Sequence, residues 1–415
     1  MFKNKKVAIW GRGKEGEALI KYCINNSIQH TVVEGENVDL SSADIVFKSP
    51  GISIYNECLK QAVHDGKSVW TSTNIFMANK HEKMKTIAVT GTKGKSTTSS
   101  LLTHILRKKG FSVGFGGNIG LPLIDLIDQK FDFLVAELSS YQCADLKYPF
   151  DISIITNLYP EHIDWHKTHE QYYEDKLNLI RIRKNGQKAI LNYSNEEILK
   201  RTQNEQDIIY FNHSKGFHLT DGYIMNGNKK LFDTSKTINL KGEHNLENIC
   251  AVLSVLGELG IDLHEIENDI LSFESLPHRL QTVAILNGVT FVDDSISTTP
   301  ETSVAALKAF NNAKHIYLLV GGFDRKQDYS VLLDYVRKNK QKITLITLPL
   351  TGTRIAEQAI DLDILKAKDL SDAVFQAKLK AKFGDVVLLS PGAPSYHAYR
   401  NFEARGEDFK QAIKK

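Results

Sequence analysis

A chain of 415 residues is too long for one ordinary hydrophobic core, so two or three domains are expected. Its 42% hydrophobic and 24% charged residues suit folded globular domains and exclude a disordered chain; a net charge of +3 is too small to imply a nucleic-acid or membrane partner. Four scattered cysteines, Cys23, Cys58, Cys143 and Cys250, show no metal-type spacing and read as small buried hydrophobes in a reducing compartment. The basic residues 1–6 precede an apolar run of only four, 7–10, too short for a signal peptide, and no run elsewhere could span a bilayer. The cytoplasm is the expected location.

In chain order, the spacing of apolar runs and turns predicts an α/β protein in three blocks, 1–81, 82–276 and 277–415. The first opens with a strand at 7–10, then Gly11-Arg12-Gly13-Lys14-Glu15-Gly16 and a helix to about Asn26. A strand at 31–33 ends at Glu34, and another at 45–47 runs into Lys48-Ser49-Pro50-Gly51, a turn that exposes backbone amides. The polar stretch 79–85 reads as a linker. In the second block, buried strands are expected at 86–89, 133–136 and 152–156, with a helix at 170–182. Residues 188–240, with the turn Met225-Asn226-Gly227-Asn228, suggest a small antiparallel addition, followed by a helix from about Asn245 to Leu259. Strands of the third block are expected at 289–292, 316–320, 343–347 and 386–389. In open α/β sheets ligands bind beyond the carboxyl ends of such strands.

The most informative segment is Val89-Thr90-Gly91-Thr92-Lys93-Gly94-Lys95-Ser96-Thr97-Thr98. A buried strand that breaks into a glycine-rich turn and then a helix offers free amides to an anion; Lys95 adds a charge, and the Ser96 or Thr97 hydroxyl can meet Mg²⁺. The pattern reads as a nucleotide triphosphate site, although the common P-loop spacing would need glycine at position 89, which is valine. Glu137 ends a strand beside this loop, where a Mg²⁺ carboxylate belongs. His162, in Asn157-Leu158-Tyr159-Pro160-Glu161-His162, suits a single ligand of a second Mg²⁺ better than a zinc set with His166, His169 and Asp164. Gly11-x-Gly13-x-x-Gly16 with Glu34 matches the dinucleotide fingerprint, but alone it fits a dinucleotide, another nucleotide or diphosphate, or a plain tight turn. Asn245 and Asn248 open a helix as a cap or as contacts to a nucleotide, and Lys176 on its spacing is an ordinary solvated lysine.

Taken together, Thr90-Gly91-Thr92-x-Gly94-Lys95-Ser96-Thr97, Glu137-x-Ser139-Ser140-Tyr141-Gln142, Asn157…His162-x-Asp164, His244-Asn245-x-x-Asn248 and Pro277-His278-Arg279 resemble the Mur ligases of bacterial peptidoglycan synthesis, in the right order over nearly the whole chain. Turn 11–16, Ser49-Pro50-Gly51-Ile52 and the tail Leu389-Ser390-Pro391…Ser395…Asn401-Phe402-Glu403-x-Arg405-Gly406 resemble the glutamate-adding branch. The resemblance implies a Rossmann-like UDP-binding domain, a P-loop ATPase-like central domain with a parallel sheet plus a small antiparallel one, and a Rossmann-like carboxyl-terminal domain for glutamate. It implies that Gly91, Thr92, Lys93, Gly94, Lys95, Ser96, Thr97, Asn245, Asn248, Arg279 and Asp294 contact ATP. Two Mg²⁺ would be held by Ser96, Glu137, His162 and a carbamylated Lys176, with Lys95, Glu137, His162 and Lys176 carrying the chemistry. Gly11, Arg12, Gly13, Glu34, Ser49, Pro50, Gly51 and Asn118 would serve the UDP-linked substrate, and Thr298, Arg325, Ser395 and the Phe402 backbone the glutamate.

The implied reaction adds D-glutamate to UDP-N-acetylmuramoyl-L-alanine through an acyl phosphate, in a monomer without nucleic-acid or membrane partners. Three departures lie in the amino-acid pocket: Asp294-Ser295-Ile296-Ser297-Thr298-Thr299 lacks the family's lysine, Arg325 stands where lysine is frequent, and Gly392-Ala393-Pro394-Ser395-Tyr396 replaces Ala-Cys-Ala-Ser. They leave L-glutamate as an alternative acceptor. A folylpolyglutamate synthase, which lacks the first block's glycine turn, and a non-catalytic nucleotide-binding protein are the other readings.

Overall fold

The computed structural model describes residues 2–237, 240, 242–274 and 277–415. The first sheet contains β1 (Val7–Trp10), β2 (His30–Val33), β3 (Ile45–Lys48) and β4 (Ser68–Trp70), all parallel in the order β2-β1-β3-β4. The central sheet contains β5 (Lys85–Thr90), β6 (Val113–Gly117), β7 (Phe133–Glu137), β8 (Ile152–Ile155), β9 (Lys188–Asn192) and β10 (Ile208–Phe211), parallel in the order β10-β9-β8-β5-β7-β6. A small antiparallel sheet follows from β11 (Phe217–Thr220), β12 (Tyr223–Asn226) and β13 (Lys229–Asp233). The last sheet contains β14 (Gln281–Leu286), β15 (Val289–Asp293), β16 (Ile316–Gly322), β17 (Ile343–Leu350), β18 (Ile364–Lys366) and β19 (Val386–Leu389) in the order β14-β15-β19-β16-β17-β18, with β14 antiparallel at one edge.

The parallel strands read as unbroken apolar runs because helices cover both faces of their sheets. Ile87, Ala88 and Val89 of β5, and Leu134, Val135 and Ala136 of β7, have no exposed surface. Two expectations change. Segment 188–240 is not wholly antiparallel: β9 and β10 extend the central parallel sheet, and only 217–233 forms the separate meander. The reason is visible in β9, where Ala189, Ile190 and Leu191 are all fully buried. β6 was not legible as a strand because it is Val-Gly-Phe-Gly-Gly. Its glycines are required by crowding: a Cβ on Gly116 would collide with the Leu121 carbonyl, and one on Gly114 would stand 2.7 Å from the Phe131 ring.

The chain divides into two compact units, one made of the residues up to 237 with Glu243–Phe273, the other of Glu274–Lys415 together with the short stretch before Glu243. Within the first unit, the first and central sheets are tied by polar contacts. Lys48 pairs with Asp145 at 2.7 Å, Gln142 Nε2 donates to Glu15 Oε1 at 2.9 Å, and Tyr55 donates its hydroxyl proton to Asp175 Oδ1 at 2.7 Å. Asn74 donates to the Asp145 carbonyl at 2.8 Å and accepts from the Lys147 amide at 2.9 Å. Among the described residues no helix is long and apolar enough to cross a membrane.

The second unit has its own cores on the two faces of the last sheet, and Leu318 is fully buried in one of them. Leu318→Ala is expected to cost about 2–5 kcal/mol through lost burial and the cavity left behind. All three tryptophans, Trp10, Trp70 and Trp165, lie in the first unit. In urea, the far-UV circular dichroism transition of the second unit should therefore shift to lower denaturant, while the tryptophan fluorescence transition keeps its midpoint.

Candidate active site

β5 ends at Thr90 and the chain turns through 91–94 into the helix Lys95–Lys108. Both turn glycines need positive φ, +146° at Gly91 and +84° at Gly94. Both also admit close neighbours: a Cβ on Gly91 would strike the Thr156 hydroxyl, and one on Gly94 would stand 2.5 Å from Asn248 Oδ1. The turn is braced by the segment after β8. The Lys93 amide donates to Asn157 Oδ1 at 2.8 Å, and its carbonyl accepts from Thr156 Oγ1 at 2.6 Å and Asn157 Nδ2 at 3.0 Å. Thr92 donates its amide to the Asn157 carbonyl at 2.9 Å, and its hydroxyl lies 2.9 Å from that of Tyr172.

Two ammonium groups converge on one carbonyl. Lys95 Nζ donates to Gly91 O at 2.9 Å and to Thr92 O at 3.0 Å, and Lys176 Nζ donates to the same Gly91 O at 2.8 Å. Lys176 is buried on the helix His169–Arg181, not solvated as its spacing alone suggests. Burial first, and the charge of Lys95 second, lower its pKa to about 7. Ser96 and Thr97 follow in the first helical turn and are buried.

Glu137 closes β7 with 1% of its surface exposed. Asn118 holds it twice: Nδ2 donates to Glu137 Oε1 at 2.7 Å and the Asn118 amide donates to the Glu137 carbonyl at 2.8 Å. The other carboxylate oxygen, Oε2, is buried without a hydrogen-bond partner. A buried oxygen left in this state is costly unless a cation or donor completes it. His162 keeps 46% of its side-chain surface exposed and has φ +55°, a conformation unusual for a side-chain-bearing residue. Its Nδ1 lies 3.2 Å from the Tyr141 hydroxyl, and burial lowers its pKa, with the nearby cations of Lys176 and Lys95 adding to the effect. A neutral imidazole of this kind is a competent metal ligand. His166 is committed elsewhere: Nδ1 lies 2.5 Å from Asp175 Oδ2 and Nε2 lies 2.9 Å from Ser140 Oγ. Among the described residues, no group of three or more His, Cys, Asp or Glu is gathered to hold a metal. Mg²⁺ needs only one or two carboxylates beside phosphate oxygens and water, so the hydroxyl of Ser96 and the unpartnered oxygen of Glu137 fit that ion.

Asn245 and Asn248 lie in the first turns of the helix Glu243–Glu258; Asn248 Nδ2 donates to Asn245 Oδ1 at 3.3 Å, and Asn248 packs on turn 91–94 at Gly94. In the first block, Ser49 Oγ donates to the Gly11 carbonyl at 3.1 Å, which brings turns 11–16 and 49–52 together. Gly13 caps the helix Lys14–Asn25. Pro50 accepts a hydrogen bond from Trp165 Nε1 at 3.2 Å. A cleft of about 770 Å³ runs from Trp10, Gly51 and Ile52 past Tyr55 and Tyr141 to His162. Arg12, Gly13 and Glu34 do not line it; Arg12 pairs with Glu17 at 3.0 Å on the surface, and Glu34 is exposed.

In the second unit, Asp294 is buried and accepts from Ser390 Oγ at 2.7 Å and the Leu280 amide at 3.1 Å; burial raises its pKa to about 6. Arg279 Nε is buried without a hydrogen-bond partner. The loops bearing Thr298, Ser395 and Phe402 are gathered by a residue to which the sequence assigns no role. Arg405 donates to Ser295 Oγ at 2.9 Å, Ser295 O at 2.8 Å and Ala393 O at 3.0 Å, while Ser295 Oγ donates to the Phe402 carbonyl at 2.8 Å. Arg325 is exposed, its guanidinium 5.6 Å from the centre of the Tyr396 ring. His278 Nδ1 lies 2.7 Å from Asp293 Oδ2, a buried pair for which the sequence carries no signal beyond the Pro-His-Arg run itself.

The Mur ligase middle-domain model matches residues 89–256, and the Mur ligase glutamate ligase domain model matches 278–392. A Xanthomonas oryzae pv. oryzae protein named UDP-N-acetylmuramoyl-L-alanine--L-glutamate ligase is 34% identical, over 99% of this chain and 95% of its own. A Micromonospora protein of the same name is 34% identical, over 99% of this chain and 97% of its own. Among solved structures, the MurF ligase of Thermotoga maritima in complex with ADP matches with a TM-score of 0.61 at 20% identity, covering 98% of this chain and 95% of that one. The Escherichia coli FolC in complex with ADP matches with a TM-score of 0.61 at 16% identity, covering 82% and 91%. At these identities the two structures speak for the fold alone, whereas the two family models and the near-full-length relatives establish that this chain belongs to the Mur ligase family.

Proposed function

We propose that the chain is a cytoplasmic, ATP-dependent ligase that joins L-glutamate to UDP-N-acetylmuramoyl-L-alanine in peptidoglycan precursor synthesis. The observation that carries ATP use is the Lys95 ammonium drawn onto the Gly91 and Thr92 carbonyls of turn 91–94, with the buried, unpartnered oxygen of Glu137 in the same site. The charge of Lys95 and the amino-terminal end of the helix Lys95–Lys108 together favour a bound polyphosphate. The acceptor rests on the name shared by the 34%-identical relatives, which favours the L isomer over the D isomer expected from the branch resemblance. The three departures at 294–299, Arg325 and 392–396 are where such a change of isomer would be made.

In this reading residues 1–81 hold the UDP moiety, 82–276 hold ATP and 277–415 hold glutamate, in a monomer. The UDP-linked substrate occupies the cleft that ends at His162. A carboxylate does not acylate an amine at neutral pH, because oxide would have to leave. The alanyl carboxylate therefore attacks the γ-phosphorus of ATP in line, ADP leaves, and the resulting acyl phosphate carries a good leaving group. Lys95 offsets the repulsion between the two anions, and the turn amides hold the phosphates. Mg²⁺, held by Ser96 and Glu137 and in a second site by His162 and a carbamylated Lys176, supplies further charge neutralisation when bound. The glutamate amine, as the free base, attacks the acyl carbon, and inorganic phosphate departs from the tetrahedral intermediate. Burial of Lys176 supports the carbamate: at a pKa of about 7 its amine is substantially unprotonated at neutral pH, and only that form adds carbon dioxide. A folylpolyglutamate-type activity is less well supported, since the FolC likeness covers 82% of this chain while the named ligases cover 99%. A non-catalytic nucleotide binder would have no use for Glu137, His162 and Lys176 together.

The first test is phosphate release with each glutamate enantiomer. Release should require ATP, UDP-N-acetylmuramoyl-L-alanine and L-glutamate together, and D-glutamate should leave it near background; faster turnover with the D isomer would reverse the assignment. Lys95→Ala should lower kcat by about 10³-fold or more, in line with loss of a group that meets charge developing in the transition state, while circular dichroism stays unchanged. Lys176→Ala should be inactive and regain part of its activity with millimolar acetate or formate, whose carboxylate stands in for the carbamate. For the unchanged protein the pH sense follows from the depressed pKa. Ligation should fall as pH drops through about 7, where the ammonium forms and the carbamate is lost, and added bicarbonate should move that fall to lower pH.

A further inference from the structure

Lys48 closes β3 immediately before turn 49–52, and its side chain has no exposed surface. A lysine is found in such a place only when its charge is paired and its protons are used. Its ammonium lies 2.7 Å from Asp145 Oδ2, donates to the Ile52 carbonyl at 2.6 Å and reaches the Ser49 carbonyl at 3.3 Å. It also stands 5.6 Å from the centre of the Trp165 ring. Ser49 and Ile52 are the two ends of the turn, and the Ile52 amide closes it on the Ser49 carbonyl at 3.1 Å. One cation thus collects both end carbonyls, while Gly51, Ile52 and Ser53 line the cleft.

The other end of the pair is equally fixed. Asp145 caps the helix Ser140–Ala144 of the central block, which also carries Tyr141, the partner of His162. Its carbonyl accepts from Asn74 at 2.8 Å. Trp165, three residues after His162, donates to the Pro50 carbonyl at 3.2 Å, and its own carbonyl accepts from Ser53 Oγ at 3.0 Å. A plain staple between two blocks would need only the ion pair. The two turn carbonyls on the same ammonium are what a staple does not require.

We propose that Lys48 is a positioning residue for the nucleotide-linked substrate. Anchored on Asp145, it sets the conformation of turn 49–52 and holds that turn in register with the loop of His162, so that a nucleoside diphosphate seated on the turn presents its acyl end to the phosphate site. This rests on the reading of the cleft as the site of the UDP-linked substrate.

The test compares Lys48→Met, Lys48→Arg and the double variant Lys48→Met/Asp145→Asn. The single methionine variant leaves a carboxylate buried without its cation and can lose stability for that reason alone. The double variant removes both charges. Calorimetry with UDP as the probe is run beside steady-state kinetics for UDP-N-acetylmuramoyl-L-alanine and for ATP. In the double variant the UDP affinity and the KM for the muramoyl substrate should each worsen by about tenfold and kcat should fall by about tenfold, because the acyl end is no longer held in line, while the KM for ATP stays within about twofold. Lys48→Arg, which keeps the charge, should recover part of the loss. Unchanged UDP affinity in a folded double variant would overturn the proposal. So would equal damage to the ATP and UDP parameters, or failure of both methionine variants to fold, since each marks a purely structural staple. If the unchanged protein binds UDP but releases no phosphate with the muramoyl substrate, the assigned reaction fails, while the calorimetry still decides the role of Lys48.

Discussion

The site depends on the crowding of positive charge at the Gly91 carbonyl. Lys95 and Lys176 both donate to that oxygen, and Lys176 is buried. In a low-dielectric interior like charges repel strongly, and a group unable to reach water gives up its proton more readily. That is why the Lys176 pKa falls to about 7. In the proposed reading the charge of Lys95 makes the turn a receptor for anions. Glu137 answers it with one oxygen held by Asn118 and the other left without a partner. The turn itself cannot relax away, because Thr156 and Asn157 clamp the Lys93 carbonyl and Asn157 also takes the Lys93 amide. Strand β8 thus governs the shape of a loop that follows β5.

The second constraint is the joining of the first and central sheets into one compact unit. Acyl activation requires the carboxylate of one substrate to meet the γ-phosphate of another in line, and small misplacement of reacting atoms is costly. The joins fall where this matters: Trp165 against Pro50, Tyr55 on Asp175, and Lys48 on Asp145. Asp175 immediately precedes Lys176 and also holds His166, four residues after His162. The short helix Ile163–His166 is flanked on both sides by positive φ, +55° at His162 and +73° at Lys167, and these hydrogen bonds are what hold that strained arrangement.

Much of this was legible in the sequence, for definite reasons. The parallel strands could be read because burial on both faces makes them continuous apolar runs, and the phosphate turn because Gly91 and Gly94 interrupt such a run before a helix. Glu137 was legible as the polar end of a buried strand. β6 was hidden by three glycines that the packing of Phe131, Leu121 and the Glu137 backbone demands, and β9 and β10 by a turn-rich neighbourhood that resembled a meander throughout. Lys176 looked like any surface lysine, because its burial comes from elements distant in sequence. Lys48, Asp175 and Arg405 were given no role of their own for the same reason: partners of theirs lie 97, 120 and 110 positions away, and a charge reads as solvated until the fold supplies its partner.

The most direct test is the position of the triphosphate in a crystal structure with a non-hydrolysable ATP analogue and Mg²⁺. The γ-phosphate should lie between Lys95 and the amides of turn 91–97, with Glu137 Oε2 turned towards the metal ion. A triphosphate bound away from that turn, or Glu137 and His162 on opposite sides of it, would contradict the assignment.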